Sequence, residues 1–241
     1  MTARPILFSG PMVRALLEGR KTQTRRVVTR STVEVLGNRW GKSSPWTGLR
    51  LGEAWVRENS PISGAPAPNL AVPFCHPDDE PTPTDECGIY RLTPIIEAGD
   101  LLYVREEYSF DHSWTGVPPR DVISLAPIWY WADGNPTRGD WTKPKPGMHM
   151  PRWASRLTLT VTDVRVQRLQ DISEDDAKAE GMSGEFCDYE LYGQSKPYRY
   201  EFCGLWDSLN AARGYGWEAN PWVVAVSFTV EHRNIDARSA A

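Results

Sequence analysis

No stretch of this 241-residue chain approaches the 18 or so consecutive apolar residues of a membrane-spanning helix. Cysteine is scarce, and the four present (Cys75, Cys87, Cys187 and Cys203) include no Cys-x-x-Cys pair. That excludes a disulfide-dense scaffold and the common zinc ribbons. Cys75, His76 and Cys87 could supply three zinc ligands, but their spacing matches no standard site, so neither a metal nor an organic cofactor is expected. No internal repeat or sustained heptad is visible, which leaves repeat arrays and coiled-coil scaffolds without support. The opening Met-Thr-Ala-Arg-Pro-Ile-Leu-Phe lacks the apolar core of a signal peptide, so cytoplasm is the expected compartment.

Apolar residues make up 40% of the chain and charged residues 24%, enough for a folded core in one domain with insertions. The net charge is only −4, but it is unevenly spread. Residues 1–50 hold ten Lys or Arg against Glu18 and Glu34, a net of +8, so the remainder must carry −12. A basic N-terminal face on an acidic protein suits a local contact with a polyanion; internal ion pairing is the alternative. The cations are densest at Gly19-Arg20-Lys21-Thr22-Gln23-Thr24-Arg25-Arg26. Four cations in seven residues are costly to bury unpaired, so this segment is either a solvated strand edge or an anion site. Lys21 and a neighbouring hydroxyl could carry chemistry.

Periodicity organises the rest. Pro11–Leu17 reads as a helix with Val13, Leu16 and Leu17 on one stripe, stopped by Gly19. Thr22–Val28 has strand character. Residues 29–98 are rich in irregularly spaced proline and read as a partly ordered insertion of loops and short strands, with Trp40, Trp46 and Trp55 docking parts of it. Leu101–Glu107 is a strand after a Gly99-Asp100 turn. A second loop-rich insertion runs from 109 to 153, interrupted by a short aromatic strand at Ile128–Ala132. Alternation through Leu157, Leu159 and Val161 slips phase at Thr162-Asp163, which predicts a bulge. Ser173 caps a short acidic helix ended by Gly181. Another helix starts at Pro197. Trp222–Val230 alternates as a half-buried final strand, and residues 234–241 read as a disordered tail. The order gives an α+β domain over residues 1–233, built on a small, mostly antiparallel barrel.

The segment from Ile6 through Gly19-Arg-Lys-Thr-x-Thr-x-Arg26, with Gly99-Asp100 and its strand, resembles the ASCH domain. ASCH domains form a PUA-like small β-barrel family with flanking helices, tied to RNA and modified nucleobases. The likeness covers residues 4–28, 99–107, 157–182 and the closing strand, and the long insertions are similar to those of phage-encoded ASCH proteins. The resemblance implies host cytoplasm and a nucleoside or nucleic-acid partner, a single-stranded RNA or modified base.

In the small N4-acetylcytidine amidohydrolases of that family, a Lys and a Thr of the motif work with a downstream Glu. Leu169–Met182 matches the downstream pattern. The resemblance therefore implies Lys21 as base, Thr24 as nucleophile and Glu180 as proton donor of an N-acyl amidohydrolase. Its position at a helix C-terminus favours the donor role for Glu180. The alternative is a non-catalytic reader, with Arg20, Arg25 and Arg26 on phosphate and aromatics such as Trp129, Trp131 and Trp222 stacking on bases. Tyr103, Arg105 and Glu106 are pocket candidates, although strand alternation sends Arg105 and Glu106 to opposite faces.

Overall fold

The computed structural model describes residues 2–28, 96–184 and 197–240, together with backbone strands at 33–36, 55–56, 70–73 and 89–94. The protein is α+β. Strand β1 (Ala3–Leu7) leads into helix α1 (Gly10–Leu17), which turns into β2 (Gln23–Val27). Four strands lie inside the first insertion, β3 (Val33–Leu36), β4 (Trp55–Val56), β5 (Leu70–Pro73) and β6 (Ile89–Pro94), paired antiparallel in the order β3-β6-β5-β4. Cys75, Cys87, Trp40 and Trp46 lie outside the described residues. No helix among the described residues is long and apolar enough to cross a membrane.

The main sheet adds β7 (Leu101–Arg105), β10 (Thr158–Arg168) and β11 (Trp222–Glu231), in the order β1-β7-β10-β11-β2. Only β1 and β7 pair parallel; the other pairs are antiparallel. The predicted phase slip is a register shift in β10 between Val161 and Asp163. Among the described residues no backbone pairing closes the sheet, so β1 and β2 are its edges. Arg26 on β2 nevertheless reaches β1, donating from Nη2 to the Leu7 carbonyl at 2.8 Å.

One core fills the α1 side of the sheet with Ile6, Phe8, Val13, Leu16, Leu102, Val104, Leu159, Val224 and Val226. On the other side, α2 (Glu174–Ala179) and α3 (Pro197–Asn210) cover a second core of Leu169, Ile172, Ala177, Phe202, Trp206 and Val223. Ser173 caps α2 as predicted, accepting from Asp176 N at 3.0 Å. The second core corrects the reading of β11 as half-buried. Val223, Val224, Ala225 and Val226 are all buried, because a central strand covered on both faces needs apolar side chains on both.

Two further expectations change. The second insertion contains a hairpin of β8 (Tyr108–Phe110) and β9 (Ile128–Tyr130). Tyr108 and Phe110 build a third core with Val122, Ala126, Met150 and Ala154. The start of the tail, residues 234–236, is anchored where fraying was expected. Asn234 Nδ2 donates to the carbonyls of Arg152, Trp153 and Ser155, Ile235 is buried, and Asp236 pairs with Arg152. One side-chain amide sharing its two N–H groups among three carbonyls outweighs the lack of an apolar pattern there.

The first insertion leaves and rejoins the sheet at pinned points. Val28 N donates to Trp222 O at 2.9 Å, and Gly99 N donates to Val161 O at 2.8 Å.

Candidate functional site

Two tight turns meet at the start of β2. After α1, Gly19 takes a φ of 72° and reverses the chain, so that the amides of Arg20 and Lys21 both donate to Ala15 O. Lys21 then forms an isolated antiparallel bridge with Glu180, and Thr22 N donates to Ala179 O at 2.8 Å. Gly181 ends α2 with a φ of 97°, and a Cβ there would sit 3.0 Å from Ala15 Cβ and 3.2 Å from Lys21 Cβ. Positive φ and close approach both demand glycine. Gly181→Ala should therefore destabilise the fold by about 1–3 kcal/mol, read as a lower denaturant midpoint with unchanged slope; an unchanged midpoint would show that the two turns yield freely.

The bridge brings Lys21 and Glu180 together across 159 positions of sequence. Lys21 is wholly buried, and its Nζ donates to Glu180 Oε2 at 2.7 Å and to Glu180 O at 2.8 Å. Arg25 Nη1 donates to the other carboxylate oxygen, Oε1, at 3.1 Å. Both oxygens of Glu180 thus accept from cations, so both positions from which it could donate a proton are occupied. Burial, the largest influence, lowers the Lys21 pKa, and Arg26 and Arg25 act the same way; Glu180 opposes them and the net displacement is downward.

Arg25 is the hub of a larger network. Its Nη2 donates to Asp176 Oδ2 at 3.0 Å and its Nη1 also to Gln23 Oε1. Asp176 accepts further from Gln23 Nε2 at 3.1 Å and Arg165 Nη2 at 3.0 Å. Burial pushes the Asp176 carboxyl up, but these bonds and the two guanidinium charges outweigh it and hold the pKa below the usual aspartate value.

The pleat divides β2 between two environments. Thr24 pairs with Val226 and Arg26 with Val224, both valines of the first core. Gln23, Arg25 and Val27 pair with Ser227, Ala225 and Val223 on the face that carries α2 and α3. Directly opposed residues share a face, so Thr24 and Arg26 look toward the α1 side while Arg25 looks toward α2. Thr24 is buried, and no hydrogen bond links its hydroxyl to Lys21 or Glu180. Lys21 and Arg26 meet at one ring, with Lys21 Nζ 5.6 Å and Arg26 Cζ 5.4 Å from the Phe8 centroid.

This geometry places the three arginines of the expected phosphate cluster in different environments. Arg25 is buried with both terminal nitrogens paired internally, while its Nε has no partner among the described residues. Arg20 is exposed but tied to Glu18 and to Gly181 O. Arg26 is half-buried, and among the described residues no carboxylate pairs with it; burial lowers its pKa and Glu180 opposes this.

The pocket candidates lie elsewhere. Tyr103 holds the guanidinium groups of Arg105 and Arg152 over its ring at 5.4 and 5.5 Å. Arg105 also donates to Met148 O, while Glu106 is buried and bidentate to Arg156. None of the three bonds to the Lys21–Glu180 pair. Among the stacking candidates, Trp129 and Trp131 spend their indole N–H groups on Gly134 O and Ser109 Oγ, and Trp222 packs under Arg168.

Sequence reasoning missed Asp176, Gln23, Arg165 and Phe8. A signal for Asp176 was present: Asp176 and Glu180 are four apart, which places both on one face of α2. Read by composition, that face is solvated; in the fold it is the face turned to β2. No family model matches the chain, and neither a curated protein nor a solved structure proved similar to it.

Proposed function

We propose that this chain is an ASCH-type, PUA-like barrel that hydrolyses the amide of an N4-acylated cytidine, free or within RNA. The observation that carries the reading is the wholly buried Lys21, 2.7 Å from Glu180 and three residues before a buried threonine on the same strand. A lysine whose pKa is lowered by burial gives up its proton more readily than a free one, and an activated threonine requires such a base. The side-chain link from Arg26 to Leu7 across the two sheet edges supports a barrel closed without a backbone ladder at that seam.

In this reading neutral Lys21 removes the Thr24 proton as the hydroxyl oxygen bonds to the acyl carbon. The carbon–nitrogen bond then breaks, and the amine leaves carrying the proton returned by Lys21. Water hydrolyses the acyl-threonine ester, releasing the carboxylic acid. Glu180 fixes Lys21 and stabilises its protonated form between the two transfers.

The test incubates wild-type protein with cytidines carrying different N4-acyl groups and follows cytidine release by chromatography. Release is expected from wild type and its collapse in Thr24→Val, which keeps shape and strand propensity but removes the hydroxyl. No release from any acyl group, alongside binding of single-stranded RNA, would replace the hydrolase with the binding module.

A further inference from the structure

The buried and half-buried arginines among the described residues differ in how they are neutralised. Arg25 holds Glu180 and Asp176. Arg156, over the Tyr130 ring at 4.1 Å, holds Glu106 and Asp133. Arg26 has no such partner among the described residues: its one hydrogen bond is from Nη2 to the Leu7 carbonyl, and its Cζ lies 5.4 Å from the Phe8 centroid. A guanidinium presents five N–H donors in a fixed fork. The carbonyl and the ring therefore orient Arg26 while leaving most of its donors unspent. Glu180 acts on this charge through space without a hydrogen bond to it, which leaves the unspent N–H groups able to hold an anion supplied from outside.

Its placement says which anion. Arg26 is two residues from Thr24 on the same face of β2, and two residues of strand span about 6.6 Å. Their cross-strand partners, Val224 and Val226, are apolar, so on this face of β2 Arg26 supplies the charge. An oxygen developing negative charge on a carbon bonded to Thr24 Oγ1 lies within reach of a guanidinium at that spacing. The same geometry gives Arg25 no access, because it points to the opposite face.

We infer that Arg26 is an oxyanion-binding group, which in the hydrolase holds the acyl oxygen of the substrate as the tetrahedral intermediate forms. The inference rests on the hydrolase reading for the identity of the oxygen, but the anion site itself does not. During the reaction no atom is transferred to Arg26; its N–H groups bond to the oxygen as the carbonyl becomes an alkoxide and release it when the carbon–nitrogen bond breaks.

The experiment compares wild type, Arg26→Gln and Arg26→Lys by steady-state kinetics and by titration with inorganic phosphate. Arg26→Gln should lower kcat by roughly a hundred- to a thousand-fold with KM changed only a few-fold, and Arg26→Lys should recover part of the loss. Phosphate should bind wild type, inhibit it competitively and raise its melting temperature, and these effects should vanish in Arg26→Gln. Unchanged kcat in Arg26→Gln, or phosphate binding equal in both proteins, would overturn the inference and leave Arg26 as a clamp between strands. Wild type that binds phosphate through Arg26 yet releases no cytidine would keep the anion site and reject the hydrolase.

Discussion

Lys21→Met should lower cytidine release by about a hundred- to ten-thousand-fold, the range of a lost general base, while the protein still folds. Methionine fills nearly the same volume, and the ammonium it replaces is one that burial disfavours. The remaining cost is two donors lost, one from Glu180 Oε2 and one from the Glu180 carbonyl, about 1–3 kcal/mol each, with Arg25 still on Oε1. The pH profile separates chemistry from folding. Lys21 must be neutral to act, and its pKa lies below the ordinary 10.5. Turnover in wild type should therefore rise with pH through that lowered pKa, and the limb should be absent from the residual activity of Lys21→Met. Stability has the same sign: between the lowered pKa and 10.5 the unfolded chain binds the extra proton, so the fold gains stability as pH rises through that window. A full rate in Lys21→Met would remove lysine from the mechanism.

Arg25→Ala should be the most destabilising single change at the site, by about 3–5 kcal/mol, because breaking one side of a buried ion pair leaves an uncompensated charge. Here two carboxylates and an amide oxygen lose a donor together: Glu180 Oε1, Asp176 Oδ2 and Gln23 Oε1. The loss should depend on pH. With its folded pKa depressed, Asp176 contributes stability above its ordinary 3.8, and that contribution disappears as pH falls through the folded value. The gap between wild type and Arg25→Ala should accordingly narrow in acid, measured as denaturant midpoints from neutral pH downward. A gap independent of pH would assign the loss to packing against Phe202, whose ring centroid is 5.9 Å from the Arg25 guanidinium carbon.

These two residues show what could be read before the fold was known. Helix α1, the strands β2, β7 and β11, the bulge in β10 and the capped start of α2 all follow from local periodicity and turn chemistry. Those signals are local in sequence and hence legible. The meeting of Lys21 and Glu180 is not local, and it was reached only through resemblance to a family motif. The fate of Arg25 was illegible because a cation in a strand reads as solvated until its partners are placed. Those partners, Asp176 and Glu180, come from a helix some 150 residues later. The double burial of β11 was hidden for a related reason: its second face is covered by α3, and alternation within one strand cannot report a cover supplied by another element. Asn234 carried no apolar signal at all, since its anchoring is made of hydrogen bonds to carbonyls.

The pinned ends of the first insertion have a consequence for how this chain can vary. Val28 and Gly99 are each tied into the main sheet by a main-chain hydrogen bond. The strands β3 to β6 that lie between them pair with one another and not with the main sheet. For a flexible connection, doubling the number of residues adds only about 0.6 kcal/mol of closure entropy. Both halves of the Lys21–Glu180 junction stand outside the tether, one before it and one after. The sheet therefore behaves as a fixed frame with a port in it, and length added between β3 and β6 need not disturb the geometry of the junction.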